Sequence, residues 1–429
     1  MTMYSTSQVF GVSTAINSAS YVDRNRLDSK IGRLLRRDTH IALKGASKSG
    51  KSWLRQRCIP ESVVVQCRYN MEIGELYRTV LRELGVEIET SRMTVCTCGG
   101  EISGEGKAKL PFMAQGGVAG STQFAHERET EHDTLQDAND LKFIAEKVKA
   151  SGKRLIIEDF HYMSEPERQK FAYDLKTLWD YGCYVIIVGV WTQTNLLTFM
   201  NPDLTARIEE VPIFWSDDEL REVIDKGCEA LNIYIDERIS EKVIQDSFGN
   251  VGVLQSLLLK LVEDIAEIEK TCDPKRLISD EGLYQAAAQA YASQLDGVYQ
   301  QFAKLLSAGI RQRKNATGIY ALTLQAIVEA DDGKLREGFK RADIYEITHK
   351  KEPRIQKGNL KTVLQKLGEL QHNSYQGNLV VTYDDSIDAV SIVDMQLLFY
   401  RKYHTMVWPW EEIADEVKQM SLLEEDEDI

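Results

Sequence analysis

The stretch Gly45-Ala46-Ser47-Lys48-Ser49-Gly50-Lys51-Ser52 has the form G-x-x-x-x-G-K-S. Its glycines let the backbone curl until successive N–H groups converge on one point, where phosphate oxygens are held. The apolar Ile41-Ala42-Leu43 leads into it as a buried strand does. Trp53 to Arg57 continues it as a helix, whose N-terminus adds positive potential. Strand, glycines, Lys-Ser and helix are in register, so the stretch reads as a nucleoside-triphosphate loop. Lys51 is placed to reach the β- and γ-phosphates and Ser52 to hold Mg²⁺, with Gly45, Ser47, Lys48, Ser49 and Gly50 forming the cradle.

The chain has 429 residues, enough for two to four domains at about 150 residues each. Hydrophobic residues are 43% and charged residues 28%, the balance of a globular protein with an ample core. No apolar run reaches the ~18 residues that span a bilayer. Met1 to Ser7 lacks the basic-then-apolar order of a secretory signal, and the seven cysteines are odd in number. Both features predict reduced thiols in the cytoplasm and no membrane partner. A net charge of −14 argues against a surface that is basic throughout and leaves room for a local basic patch. Cys96 and Cys98 lie close together, with His126 and His132 following, but a C-x-C without a second cysteine pair does not define a zinc site.

Outward from the loop, small polar residues over 1–20 predict a flexible arm. Tyr21-Val22-Asp23-Arg24 reads as an entry segment, and Leu27, Ile31 and Leu34-Leu35 as the apolar face of a helix. Val63 to Cys67, Arg154 to Ile157 and Tyr184 to Val190 read as further strands, separated by helices over Met71–Leu84, Asp137–Ala150 and 166–181. Strands alternating with helices imply right-handed parallel βαβ units. Residues 91–125 break the pattern with seven glycines and one proline, as an insertion that is either a solvated loop or a contact surface. From Ser216 the strands are expected to stop, leaving the helices Asp217–Lys226, Ile239–Asp246 and Leu254–Glu269, and then Ser279–Ile310.

Leu155-Ile156-Ile157-Glu158-Asp159 brings two carboxylates to the C-terminal end of a buried strand. In open α/β sheets the ligand sits beyond those ends. By position, Glu158 takes the metal role with Ser52, and Asp159 polarises the attacking water. After the next strand, a polar group would stand between the carboxylates and the γ-phosphate: Thr192 first, Asn195 second. Arg207 precedes the strand Glu210-Val211-Pro212-Ile213, where a guanidinium would complete a neighbouring subunit's site.

Over about residues 15 to 265 this arrangement resembles the AAA+ ATPases, in the branch of origin-recognition, transposon-regulator and STAND-like signalling ATPases. The resemblance rests on Gly45–Ser52, Leu155–Asp159, the strand to Val190, Arg207 before the final strand, and Tyr21-Val22-Asp23-Arg24, which is similar to the family's adenine-side entry motif. It implies that Tyr21, Val22 and Arg24 contact the nucleotide, that ATP and Mg²⁺ are the cofactors, and that ATP drives self-assembly into rings, arcs or filaments. The sequence departs from the family in two places. The usual carboxylate order is Asp then Glu, so the base here is one methylene shorter, a displacement of roughly an ångström that predicts slow turnover. The lid around Gly249-Asn250-Val251-Gly252 lacks the arginine that often faces the γ-phosphate, so it is missing or comes from elsewhere.

In the last third, helices over Ala321–Ala330, Arg341–Thr348 and Asn359–Leu370 precede strands over Leu379–Tyr383 and Ala389–Val393, the order of a winged helix. Between Lys340 and Lys366 there are eight Lys/Arg against three Asp/Glu. Lys350, Lys351, Arg354, Lys357 and Lys361 flank the third helix, where a recognition helix meets DNA phosphates. A winged helix also serves as a protein-contact module. Asp394–Tyr403 and Trp408-Pro409-Trp410 are expected to close the domain or dock on a neighbour.

The expected fold is therefore α/β: a doubly wound parallel P-loop sheet of AAA+ type over 21–215, a helical lid over 216–270, a helical connector over 271–315, a winged-helix domain over 316–410 and a disordered acidic tail over 411–429. The expected function is an ATP-binding, slowly hydrolysing switch that acts on duplex DNA or a DNA-bound partner, a description that fits mobile-element control and anti-phage defence. The alternative is a signalling scaffold that recruits a separate effector protein without binding DNA.

Overall fold

The computed structural model describes residues 2–86, 140–191, 193–308, 317–372, 379–385 and 387–411. The insertion at 91–125, the residues Cys96, Cys98, His126, His132 and Thr192, and the acidic tail from 412 onward lie outside the described residues.

Five strands form one parallel sheet in the order β2-β3-β4-β1-β5. They are β1 His40–Lys44, β2 Ser62–Gln66, β3 Arg154–Glu158, β4 Val185–Gly189 and β5 Ile208–Pro212. Successive side chains on a strand point to opposite faces, so a sheet covered on both sides needs apolar residues at every position. Ala42, Leu155, Ile157, Val185 and Ile187 enter one core. Ile41, Leu43, Ile156, Ile186 and Val188 enter the other. Helices α4 Ile73–Glu83, α5 Leu141–Ala150 and α6 Glu165–Asp180 cover the first face through residues such as Leu76, Ile144 and Phe171. The second face is covered by α2 Leu27–Leu34 and α3 Lys51–Cys58 through Ile31 and Leu54.

The first twenty residues differ from the flexible arm expected. Within them a single turn, α1 Thr6–Val9, is bound to the lid: Thr6 N–H donates to Glu269 O at 2.8 Å, and Thr271 N–H to Tyr4 O at 2.9 Å. Val9 and Phe10 are fully buried. The Phe10 ring fills the space over Gly227, where a Cβ would sit 2.2 Å from it. The segment's average polarity hides these two adjacent apolar residues, and burying them offsets the entropy of ordering the chain.

A short α7, Leu196–Met200, precedes β5, and the lid follows it as α8 Asp217–Leu231, α9 Glu237–Asp246 and α10 Val251–Leu259, the last continuing as a π-helix over Lys260–Ile265. Strands do not stop at Ser216. The three-residue β6 Ile233–Ile235 and β7 Arg276–Ile278 pair in parallel, too short for their periodicity to stand out in the sequence. The long helix α11 Glu281–Ala308 leads to α12 Ile319–Val328, α13 Asp332–Glu337, α14 Arg341–Lys351 and α15 Lys357–His372. Strands β8 Phe339–Lys340, β9 Val381–Asp384 and β10 Ala389–Ile392 form an antiparallel sheet in the order β8-β10-β9.

The last helix among the described residues, α16 Gln396–Tyr403, stacks on α11 through Tyr291–Phe399 and Tyr299–Tyr400, with ring centroids 5.0 and 4.6 Å apart. Asp246 at the end of α9 accepts hydrogen bonds from Tyr284, Lys402 and Tyr403, tying lid, α11 and α16 together. One apolar cluster runs from Val9 through the lid and α11 to Trp410. No helix among the described residues is long and apolar enough to cross a membrane.

Candidate functional site at the phosphate loop

The loop leaves the C-terminal end of β1, between β4 and β5. Gly45 is required by close approach, because a Cβ there would stand 2.7 Å from Ile213 O and 2.9 Å from Ser49 Oγ. Gly50 has φ +82° and starts α3. Lys48 also takes a positive φ of 59°, a conformation that an L side chain holds only where its surroundings impose it. Lys51 Nζ lies across the loop, donating to Gly45 O at 3.0 Å and Ala46 O at 2.6 Å. Burial lowers its pKa to about 8, against the opposing pull of Asp159 and, more weakly, Glu158.

A cavity of about 510 Å³ opens over the loop. Ser47 to Ser52 form its floor, Asp159 and His161 one wall, and Gly252 and Gln255 of the lid another. The remaining wall is Gly11-Val12-Ser13-Thr14. Trp53 Nε1 donates to Ser13 O at 2.9 Å, Gln56 Nε2 to Thr14 O at 2.9 Å, and Gly11 N–H to Gln255 Oε1 at 2.9 Å. Sequence reasoning missed this wall because it comes from a stretch with no motif. Its one signal was the Val9-Phe10 pair that anchors the segment.

Tyr21, Val22 and Arg24 are not among the residues that line this cavity. Arg24 is buried beneath the loop, with Nη1 donating to Ser49 O at 2.6 Å and its guanidinium 4.4 Å from the Trp215 ring centroid. Trp215 Nε1 donates to the same carbonyl at 3.0 Å. Arg24 thus braces the loop backbone instead of reaching into the cavity. Tyr21 donates its hydroxyl to Asp28 at 2.8 Å, and Val22 is packed in the lid core. With Arg24 they line a small neighbouring cleft of about 20 Å³.

The two carboxylates part at the end of β3. Glu158 pairs with Arg55 Nε at 2.7 Å. Arg55 lies one turn beyond Ser52 on α3, and Glu158 is not among the residues that line the cavity. Asp159 takes φ +55°, lines the cavity and accepts from Gln66 Nε2 at 2.9 Å. A serine hydroxyl and carboxylate oxygens are the hard donors that suit Mg²⁺, so the set fits that ion.

The turn after β4 brings no described polar side chain over the loop. Val190 lines the cavity. Asn195 donates its N–H to the Glu210 carboxylate at 3.1 Å, and Glu210 is held by Lys44 at 2.9 Å. Arg207 lies at the other end of the sheet: its carbonyl accepts from His40 N–H, at the start of β1. A five-residue strand, roughly 15 Å, separates it from the loop of its own chain. Its guanidinium sits 4.9 Å from the Trp179 ring centroid and bonds Asp203 O.

The lid and the C-terminal region both grip the loop. Asn250 Nδ2 donates to Ser47 O at 2.8 Å and Gly252 N–H to Lys48 O at 3.1 Å. Ser47 N–H donates to Val393 O at 3.3 Å, and Lys48 Nζ bonds Gln396 Oε1. Between them, burial raises the Asp394 carboxyl, with Lys48 opposing. An arginine also stands beside the lid turn, since a Cβ on Gly249 would be 3.4 Å from Arg336 Nη2.

Among the five candidate nucleic-acid residues, Lys351 pairs with Glu329 at 3.6 Å, Arg354 with Glu352 at 2.8 Å and Lys361 with Asp385 at 2.9 Å. Lys357 lies 5.3 Å from the Tyr345 ring centroid, and Lys350 is exposed on α14.

No protein-family model and no curated protein matches the chain. Solved structures do. The Orc1 protein of Aeropyrum pernix, in complex with DNA, matches over 94% of this chain and 96% of that chain at 11% identity and a TM-score of 0.42. The RuvB Holliday junction branch migration motor of Thermotoga maritima matches over 89% and 93% at 11% identity, TM-score 0.36. A STAND protein of Pyrococcus horikoshii with a tetratricopeptide repeat sensor matches over 94% of this chain and 45% of that chain at 13% identity, TM-score 0.35. These superpositions are loose. The fold is read from the sheet itself: a phosphate loop on β1 in the order β2-β3-β4-β1-β5, with a lid of three helices closing on the loop through Asn250 and Gly252. The fold is of the AAA+ type. In that AAA+ frame, the loop, Lys51, Asp159 and the lid meet at one cavity, while Arg207 faces away from it.

Proposed function

We propose that this chain is an ATP-binding, slowly hydrolysing AAA+ switch that assembles with copies of itself when ATP is bound and acts on DNA or a DNA-bound partner through a C-terminal winged helix. The observation that carries the reading is the convergence of Lys51, Ser52, Asp159 and the lid on one cavity over the loop. The loop N–H groups and Lys51 bind the phosphates, and the Gly11–Thr14 wall and Gln255 border the remaining space. Charge neutralisation at the phosphates is the contribution of Mg²⁺ held by Ser52 and Glu158. Asp159 orients the attacking water, and its short side chain keeps turnover slow. Arg207, remote from its own loop, serves the site of an adjacent subunit in a ring, arc or filament. The order α12-α13-β8-α14-α15-β9-β10, with two helices before a closing hairpin, supports the winged-helix reading. The free thiols of Cys58, Cys67, Cys183, Cys228 and Cys272 suit a cytoplasmic setting, and mobile-element control or anti-phage defence is the matching role.

A second reading, the signalling scaffold that recruits a separate effector, is favoured by one observation: Lys351, Arg354 and Lys361 are already paired with acidic partners. Mass photometry with no nucleotide, ADP, or ATP with Mg²⁺, with and without duplex DNA, separates the two. Assembly that needs ATP and is strengthened by DNA supports the first reading. Assembly that needs ATP and ignores DNA supports the second, and no response to nucleotide overturns both.

A further inference from the structure

We infer that Trp53, the residue after the phosphate loop, is the platform against which the base of the bound nucleotide stacks, with Val12 of the N-terminal segment and Val251 of the lid as further apolar contacts. The inference rests on the nucleotide reading of the site.

The cavity has two unlike sides. Asp159 lines the cavity alone, whereas Trp53, Val251 and Gln255 line both the cavity and the small cleft bordered by Tyr21, Val22 and Arg24. In the nucleotide reading, Lys51 and Asp159 mark the end of the terminal phosphate. The nucleoside then falls to the side that adjoins the cleft. The cleft itself is too small to take a base: about 20 Å³ is room for one water, against about 510 Å³ in the cavity.

The chemistry of that side suits a flat aromatic group. An indole has one polar atom, and Trp53 Nε1–H is given to Ser13 O at 2.9 Å. What Trp53 presents to the cavity is therefore ring carbon. Val12 lines the same cavity with 60% of its surface exposed, and Val251 opens α10 beside the loop. Covering apolar surface that water otherwise reaches is favourable. Every nucleobase offers a π-face, so stacking on an aromatic ring strengthens binding.

The platform is also held in place. Trp53 sits in the first turn of α3, and the segment that accepts from its Nε1–H is tied down on both sides. Gln56 Nε2 donates to Thr14 O at 2.9 Å, Gly11 N–H donates to Gln255 Oε1 at 2.9 Å, and Phe10 is fully buried next to Gly11. A surface ordered before its ligand arrives loses little entropy on binding.

The test measures binding of ATP and of inorganic tripolyphosphate, which has the phosphates without a base, each with Mg²⁺, by calorimetry on the full chain. Trp53→Leu is expected to weaken ATP binding by about five- to a hundredfold and tripolyphosphate binding by less than about twofold. Trp53→Phe keeps a flat ring without the N–H and is expected to retain most of the affinity for ATP. Equal losses for ATP and tripolyphosphate in Trp53→Leu would overturn the inference, because the residue would then support the loop. A Trp53→Phe that falls as far as Trp53→Leu would also overturn it, leaving Trp53 as a clasp for Ser13. Unchanged ATP binding in Trp53→Leu would place the base elsewhere and leave the nucleotide reading intact. A wild type that binds neither probe better than Lys51→Ala would overturn the nucleotide reading and this inference with it.

Discussion

Lys48 of the phosphate loop and Gln396 at the first position of α16 are hydrogen-bonded side chain to side chain, and beside them Ser47 N–H is taken by Val393 O. A phosphate in the cradle calls on those same loop groups. In the proposed nucleotide reading, ATP and the C-terminal region would compete for the same loop groups. Gln396→Ala is expected to tighten ATP binding by about two- to tenfold, the equivalent of one net side-chain hydrogen bond. Calorimetric titration reads it, and an unchanged Kd means that the two do not compete.

Lys51 gives a proton signature. Burial holds its pKa at about 8, below the usual lysine value, so part of the population is neutral at pH 8.5. A bound triphosphate favours the ammonium form and raises that pKa. Binding at pH 8.5 is expected to take up a fraction of a proton, seen as a buffer-dependent binding enthalpy that disappears in Lys51→Arg. The same shift affects stability. The unfolded chain holds this proton where the folded one has released it, so stability without nucleotide should rise with pH from about 8 toward the usual lysine value.

Phe10 and Gly227 are packed tightly together, and the two single substitutions fail in opposite ways. Phe10→Ala leaves a cavity in the lid core and should cost about 3–5 kcal/mol. Gly227→Ala drives a methyl into the ring and should cost about 1–3 kcal/mol. In the double variant the methyl enters the emptied space, so the loss should be less than the sum. Chemical denaturation measures all three.

Arg207 is separated from the loop of its own chain by the length of β1, so an effect on hydrolysis has to pass between subunits. Arg207→Ala and Lys51→Ala are each expected to be inactive alone. Mixed together they should recover ATPase activity, because one supplies the arginine and the other the loop. Failure to recover, with both variants folded by circular dichroism, would leave Arg207 with only its packing on Trp179.

Lys350 is exposed and Lys357 rests on an aromatic ring, whereas Lys351, Arg354 and Lys361 each have an acidic partner. If the winged helix binds DNA phosphates, Lys350→Ala with Lys357→Ala should lower the slope of log affinity against log salt by about one unit for each phosphate that is no longer neutralised. An unchanged slope directs attention to a protein partner.

The legible parts of this chain are those in which local chemistry and periodicity agree. Gly45–Ser52 is readable because only certain residues allow a backbone to curl around an anion. The strands around Ile41, Ile156 and Ile187 are readable because burial on both faces requires unbroken apolar runs. The carboxylates of Glu158 and Asp159 follow from their place at a strand's end. The illegible parts depend on contacts between distant segments. No local pattern shows that Arg24 braces Ser49 O, that Gly11–Thr14 walls the cavity, or that Val393 and Gln396 reach the loop.

The sequence alone determined the Gly45–Ser52 loop and the strands that lead into it and into Glu158 and Asp159, because those features reside in short stretches whose backbone geometry is set by their own residues. Only the tertiary structure decided which residues meet at the cavity. Val9 and Phe10 bury themselves in the lid and carry the N-terminal segment to the loop. Stacking of Tyr291 and Tyr299 on α16 brings Gln396 to Lys48. These placements follow from burying apolar surface between segments far apart in the chain, and hydrophobic burial is non-directional, so its outcome depends on the whole molecule.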